Sequence, residues 1–249
     1  MKTSKFHAGV EALCQKTTRR LHQYLLRHSV YFCVAIVLMA IELVVFLYFF
    51  LFSGKTLVPA FCLACFFLTL FIFLVIRLYF LSGKLDDFEE MVSQYLQEVV
   101  PLMQGKHSAI EELSHQAAAA TKLSINLQNQ EYTLVFSLIK FLPRQDFLRK
   151  MSCFCFWKDY FAFRECLLQK AIEANVKVVQ MIPTDLGAHV SLADAYVALS
   201  GLYADPRKYP EFDANYWVPP GRYGEDIQEK FFASARRAIE EFKILNEYA

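Results

Sequence analysis

Two apolar stretches, Val30–Phe52 and Leu57–Leu81, stand almost end to end, with only Ser53-Gly54-Lys55-Thr56 between them. Each exceeds the roughly 20 residues an α-helix needs to cross a ~30 Å hydrocarbon core. Lipid offers the backbone no hydrogen-bond partners, so each stretch must be a helix that satisfies its own. A connector this short admits only an antiparallel hairpin. Whatever precedes residue 30 and follows residue 81 then lies on one side of a membrane.

Charge indicates which side. Residues 1–29 carry Lys2, Lys5, Lys16, Arg19, Arg20 and Arg27 against Glu11 alone, a net +5, while the hairpin tip has only Lys55. Cations flanking spans stay in the cytosol. The expectation is an integral membrane protein with both termini cytosolic. A cleaved signal peptide fits badly, because the apolar core is too long and a second span follows at once. Within the arm, Phe6, Val10, Leu13, Leu21, Tyr24, Leu25 and His28 recur at mostly helical spacing with cations between them. That pattern suits a basic amphipathic helix lying on anionic lipid; a basic tail that only sets topology is the alternative.

Glu42 stands near the middle of the first span, where an ionisable residue costs about 2.5–3.5 kcal/mol and so faces protein. With the turn centred on Gly54 and Lys55, the residue at its depth in the second span is Thr69, which could donate a hydrogen bond to it. Arg77 lies about 12 Å nearer the cytosolic face at 1.5 Å per residue and should snorkel to the headgroups. The seven cysteines form no disulfide framework, and a cytosolic placement keeps thiols reduced. Cys62-x-x-Cys65 falls inside a span, and Cys153-x-Cys155 lacks a second ligand pair, so no metal site is expected.

Beyond the hairpin, residues 82–150 read as a helical linker region. One helix should end at Pro101, with Leu85, Phe88, Val92, Tyr95, Leu96 and Val99 on one face. A second should run from about Ser108 to about Asn129, its line of Ile110, Leu113, Ala117, Ala120, Ser124 and Leu127 spaced for a short coiled-coil dimer. Tyr132–Leu142 reads as more helix, halted near Pro143. Residues 151–249 read as a helical domain with helices at 160–182, 188–203 and 225–248. The last should carry Ile227, Phe231, Ala235, Ala238, Phe242 and Leu245 on its core face.

Ala171 and Pro183 stand twelve positions apart in one helix, and Leu192, Ala193 and Tyr196 follow in register on the next. In this the chain resembles the tetratricopeptide repeat, with Ala238-Ile239-Glu240-Glu241-Phe242 similar to the following second helix. The resemblance covers roughly 160–203 and 226–249 and implies an all-α domain that binds a protein partner. Against the family's pitch of 34 residues, Ala238 comes 33 positions late. The excess is an insert, 204–224, rich in proline, glycine and aromatic residues. Exposed aromatic area is unfavourable by about 25 cal/mol per Å². Tyr209, Phe212, Tyr216, Trp217 and Tyr223 should therefore pack on the helices or serve as partner-binding anchors. On the second reading, Trp217→Ala weakens capture and spares the fold.

No phosphate loop, His-Glu-x-x-His or nucleophile elbow is present. His189 opens a helix, where a solvated or cap-bonding role is expected. Catalytic residues, cofactors and nucleic-acid binding are not expected. Two functions of different class remain: a membrane-anchored scaffold holding a protein partner at the cytosolic face, or a small membrane-complex subunit whose hairpin, with Glu42, is the working part. A homo-oligomer fits either. The layout of residues 30–81 also resembles the inclusion membrane proteins of Chlamydia. The expected membrane is a bacterial inner membrane; that resemblance implies the alternative, a bacterial effector in a pathogen vacuole membrane facing host proteins.

Overall fold

The computed structural model describes residues 2–52, 57–103, 108–135, 145–208 and 217–248. All regular structure among them is helical. The helices are α1 (Lys2–Phe52), α2 (Leu57–Val99), α3 (Ala109–Asn126), α4 (Gln145–Met181), α5 (Leu186–Tyr203) and α6 (Glu225–Tyr248). Packing divides the chain into two compact units, one made of residues 1–19 with 88–249 and the other of residues 20–87.

In the unit of residues 20–87, α1 and α2 are each long and apolar enough to cross a membrane. Neither is the buried core helix of a water-soluble fold. Val44, Leu51, Phe61, Phe71 and Leu78 are each more than 60% exposed. The hairpin tip, 53–56, lies outside the described residues. Nearer the other end, Tyr24 donates a 2.7 Å hydrogen bond to Asp87, and His28 and Tyr31 both set ring edges against Phe80.

In the other unit, the start of α1 and the end of α2 pack on α3 and α4, and α5 and α6 complete it. Val10, Cys14, Thr17, Leu21 and Leu25 recur every three or four residues on α1 and are buried, the first three in this unit. Here Cys14 meets the Tyr95 hydroxyl at 3.3 Å, and Tyr95 also donates to the Ala119 carbonyl. Lys16 pairs with Glu98 and Lys122 with Glu11. Of the seven residues expected to face lipid, Val10, Leu21 and Leu25 are buried by protein and Phe6, Leu13, Tyr24 and His28 are half-buried, while Lys16 of the basic face pairs with Glu98 of α2. On α2, Phe88, Val92, Tyr95 and Val99 are buried as one face, while Leu85 is exposed. The helix stops at Val99 and tightens into a 3-10 turn containing Pro101, whose missing N–H leaves no α-helical bond to make.

Ser108 caps α3 reciprocally: its hydroxyl accepts from the Glu111 N–H, and Glu111 accepts from the Ser108 N–H. The stripe Ala117, Ala120, Ser124 and Leu127 is buried by packing of α3 on α4. The spacing read as a dimer seam therefore serves the chain's own core. The helix ends at Asn126, three residues early, because the backbone turns through Asn129 at φ 63°, a left-handed conformation that asparagine tolerates. Tyr132 then closes a 3-10 turn, Gln130–Tyr132; most of the helix expected over 132–142 falls in 136–144, outside the described residues.

Helix α4 runs unbroken through position 150, so the linker and the last domain share it. A turn at 182–185 returns the chain into α5, capped by Asp185, whose carboxylate accepts from the Gly187 N–H. Leu168, Leu199, Leu202 and Tyr203 form a core that Ile227 and Phe231 of α6 join. Small residues are among the most buried here: Ala171 and Ala193 are fully buried, and Ala238 is 4% exposed. Phe242, read as a core residue, is instead 46% exposed.

Candidate functional site

Among the described residues, three places concentrate polar chemistry. Inside the hairpin, the Thr69 hydroxyl donates to Glu42 Oε1 at 2.9 Å, and Glu42 Oε2 is buried. Both residues are half-buried between the helices. A carboxyl held in this way works as a helix-to-helix contact.

The second place is where the insert meets the helices. Tyr209, Phe212 and Tyr216 lie outside the described residues. Trp217 is half-buried: its carbonyl accepts from the Tyr132 hydroxyl at 3.0 Å and from Cys153 Sγ at 3.7 Å, and its ring tilts against exposed Phe154. Val218 is buried next to it. Tyr223 is covered by the Arg207 guanidinium 3.6 Å above its ring, which a fork to Asp205 holds in place. Gly221 lies so close to Trp157 that a Cβ would fall 2.9 Å from the indole, and any larger residue would have to push the ring aside.

Under the insert is an ionic cluster without a sequence signal. Arg222 Nη1 reaches Glu131 Oε1 at 3.5 Å, with side chains 13% and 5% exposed, and Arg164 Nε donates to Ser124 at 3.5 Å. Glu131 Oε2 and Arg222 Nε are buried without a hydrogen bond among the described residues. Burial raises the Glu131 carboxyl above its usual range, against the pull of Arg222 and Arg164. Burial also lowers the Arg164 guanidinium to about 10 and pushes the Cys153 thiol up to about 11. A raised thiol is a poor nucleophile. The cluster latches the insert to the turn after α3, a structural task.

The third place is a groove of about 350 Å³ between α3 and α5, floored by α4. Its lining is small or polar: Ser114, Ala117, Ala118, Asn175, Ser191 and Ala195 contribute. Asn175, itself buried, donates to the Ser191 carbonyl at 3.0 Å and holds α4 against α5. Ile125, 59% exposed, sits on the rim, with Lys122 and Asp194 beside it. Small side chains let another backbone come close, and the rim supplies apolar and charged contacts. The heptad-like spacing of the α3 stripe carries no sign of this groove with α5.

His189 corrects another expectation. It is 7% exposed, and Asp185 performs the capping instead. Its Nδ1 lies 2.7 Å from Glu241 Oε2 on α6 and its Nε2 lies 3.1 Å from the Pro183 carbonyl.

No family model, no curated protein and no solved structure matches this chain.

Proposed function

We propose that the chain is a membrane-anchored scaffold whose helices after residue 87 hold a protein partner at the cytosolic face. The groove between α3 and α5 carries this reading: it is concave, lined by small side chains and rimmed by an exposed isoleucine and two charges. Its surroundings support a helical-repeat interpretation, since α3 and α5 both pack on α4, and α6 packs on α5. Small residues are among the most buried, as the resemblance to the tetratricopeptide repeat implies. Anchoring draws on the apolar surface of α1 and α2, which water would not tolerate at this extent. The shared unit of residues 1–19 and 88–249 suits a hairpin with both ends on one side, and the basic arm favours the cytosol. The alternative, in which the hairpin is the working part, draws less support, because Glu42 is engaged by Thr69 within the hairpin.

A photo-crosslinking side chain at position 118 of the full chain, in its membrane, tests the groove. The expected result is a discrete heavier adduct that disappears when Ser191→Trp fills the groove from its opposite wall. Ser191 is exposed, so this variant should keep its melting temperature. Trp217→Ala should leave the adduct in place. An adduct lost with Trp217→Ala and kept with Ser191→Trp would move the partner to the insert.

A further inference from the structure

Helix α6 carries two apolar seams where its packing uses one. Its inner seam, Ile227, Phe231, Ser234, Ala238 and Leu245, faces the fold, with Ser234 and Ala238 buried. Rotated by about 100°, at 100° per residue, a second seam runs through Phe232, Ala235, Ile239 and Phe242. Its large members are 57%, 54% and 46% exposed. Steps of three, four and three residues keep this seam straight for a helix crossing at a shallow angle. Mixed charges, Glu229, Arg236, Glu240 and Lys243, line one side of it and are all exposed.

We propose that this seam binds the same seam of a second copy, with the two α6 helices antiparallel about a two-fold axis near residue 237. The register follows from aligning the layers. Phe232 meets Phe242 of the second copy and Ala235 meets its Ile239, so a small residue faces a branched one in both central layers. Charge selects the same arrangement. The two-fold brings Arg236 within two positions, about 3 Å along the axis, of the second copy's Glu240, and Lys243 equally close to its Glu229. A parallel pair would instead set the two charged rows on opposite faces of the dimer, and neither pairing would form. A single helix pair is a small interface by the standards of stable complexes. Confinement in a membrane raises the effective concentration and favours the association. The groove between α3 and α5 lies elsewhere and is not used.

The full chain in detergent micelles provides the test. Sedimentation should show a dimer at about 10 µM protein, and Ile239→Glu should raise the dissociation constant by about tenfold or more, since it places a charge in the seam. Ile239 is exposed, so circular dichroism of this variant should match the parent. Oxidation should couple a mixture of Phe232→Cys and Phe242→Cys chains and neither chain alone, with the parent chain as blank for its own cysteines. A monomeric parent overturns the proposal and leaves the seam to a different protein. A dimer that survives Ile239→Glu places the contact elsewhere, and self-coupling of Phe232→Cys makes the pair parallel; either result overturns it.

Discussion

His189 has two hydrogen-bond partners, a carboxylate and a main-chain carbonyl, and both only accept. A neutral imidazole donates from one nitrogen; only the imidazolium donates from both. Only the charged ring can make both bonds, and in that form it bridges the α4–α5 turn, α5 and α6. Its pKa is raised, first by the hydrogen bond to Glu241, against the effect of burial, with the Pro183 carbonyl and the charges of Glu241 and Asp185 adding to the rise. A folded pKa above the unfolded value of about 6.5 gives stability that is complete below pH ~6.5. That stability is lost as pH climbs through the folded value. The thermal midpoint should therefore fall on going from about pH 6 to pH 9. His189→Gln should remove most of that slope while lowering the midpoint at pH 6. An equal slope in both proteins would assign the pH response to another group. The sequence revealed a histidine at a helix start and nothing more, because Glu241 is 52 positions away.

At the scale of elements, the insert is the informative case. Its ends are fastened by Arg207 over Tyr223, by Gly221 against Trp157 and by Arg222 on Glu131. Removing one member of a buried ion pair leaves an uncompensated charge, which typically destabilises by about 3–5 kcal/mol. Glu131→Ala should cost about that much in chemical denaturation. Combining Glu131→Leu with Arg222→Met should cost less than the sum of the two single changes, with Arg164 left as the remaining cation of the cluster. A double variant as unstable as the sum of its single changes would show that the two side chains act independently. The helices themselves were legible from periodicity and punctuation, with Pro101 and Pro183 marking two of their limits; the Ser108 capping box came from the structure. The left-handed turn at Asn129 and the unbroken run of α4 were not legible, since neither leaves a compositional break.

For the whole molecule, the scaffold reading makes the order of sides testable. In intact cells or sealed vesicles of native orientation, a membrane-impermeant maleimide should label Ser53→Cys at the tip from outside. Cys155, which is exposed, should react only after the membrane is opened. Labelling of Cys155 from outside would invert the topology. The interior arrangement also changes what the N-terminal arm does. Lys16 and Glu11 pair with Glu98 and Lys122, so residues 1–19 belong to the same packed unit as the C-terminal helices.

Local, one-dimensional physics decided the all-α class, the two long apolar helices and most helix limits, because segment hydropathy, 3.6-residue periodicity, capping residues and prolines act within a few neighbours. Which apolar face meets which was left to tertiary structure. The alanine stripe of α3 could have faced a second chain, and only packing gave it to α4. Of the two seams of α6, only packing decided which one the core took. The ionic cluster of Glu131, Arg164 and Arg222 brings together residues up to 91 positions apart. Long-range pairing of that kind depends on the whole fold, and no local pattern encodes it.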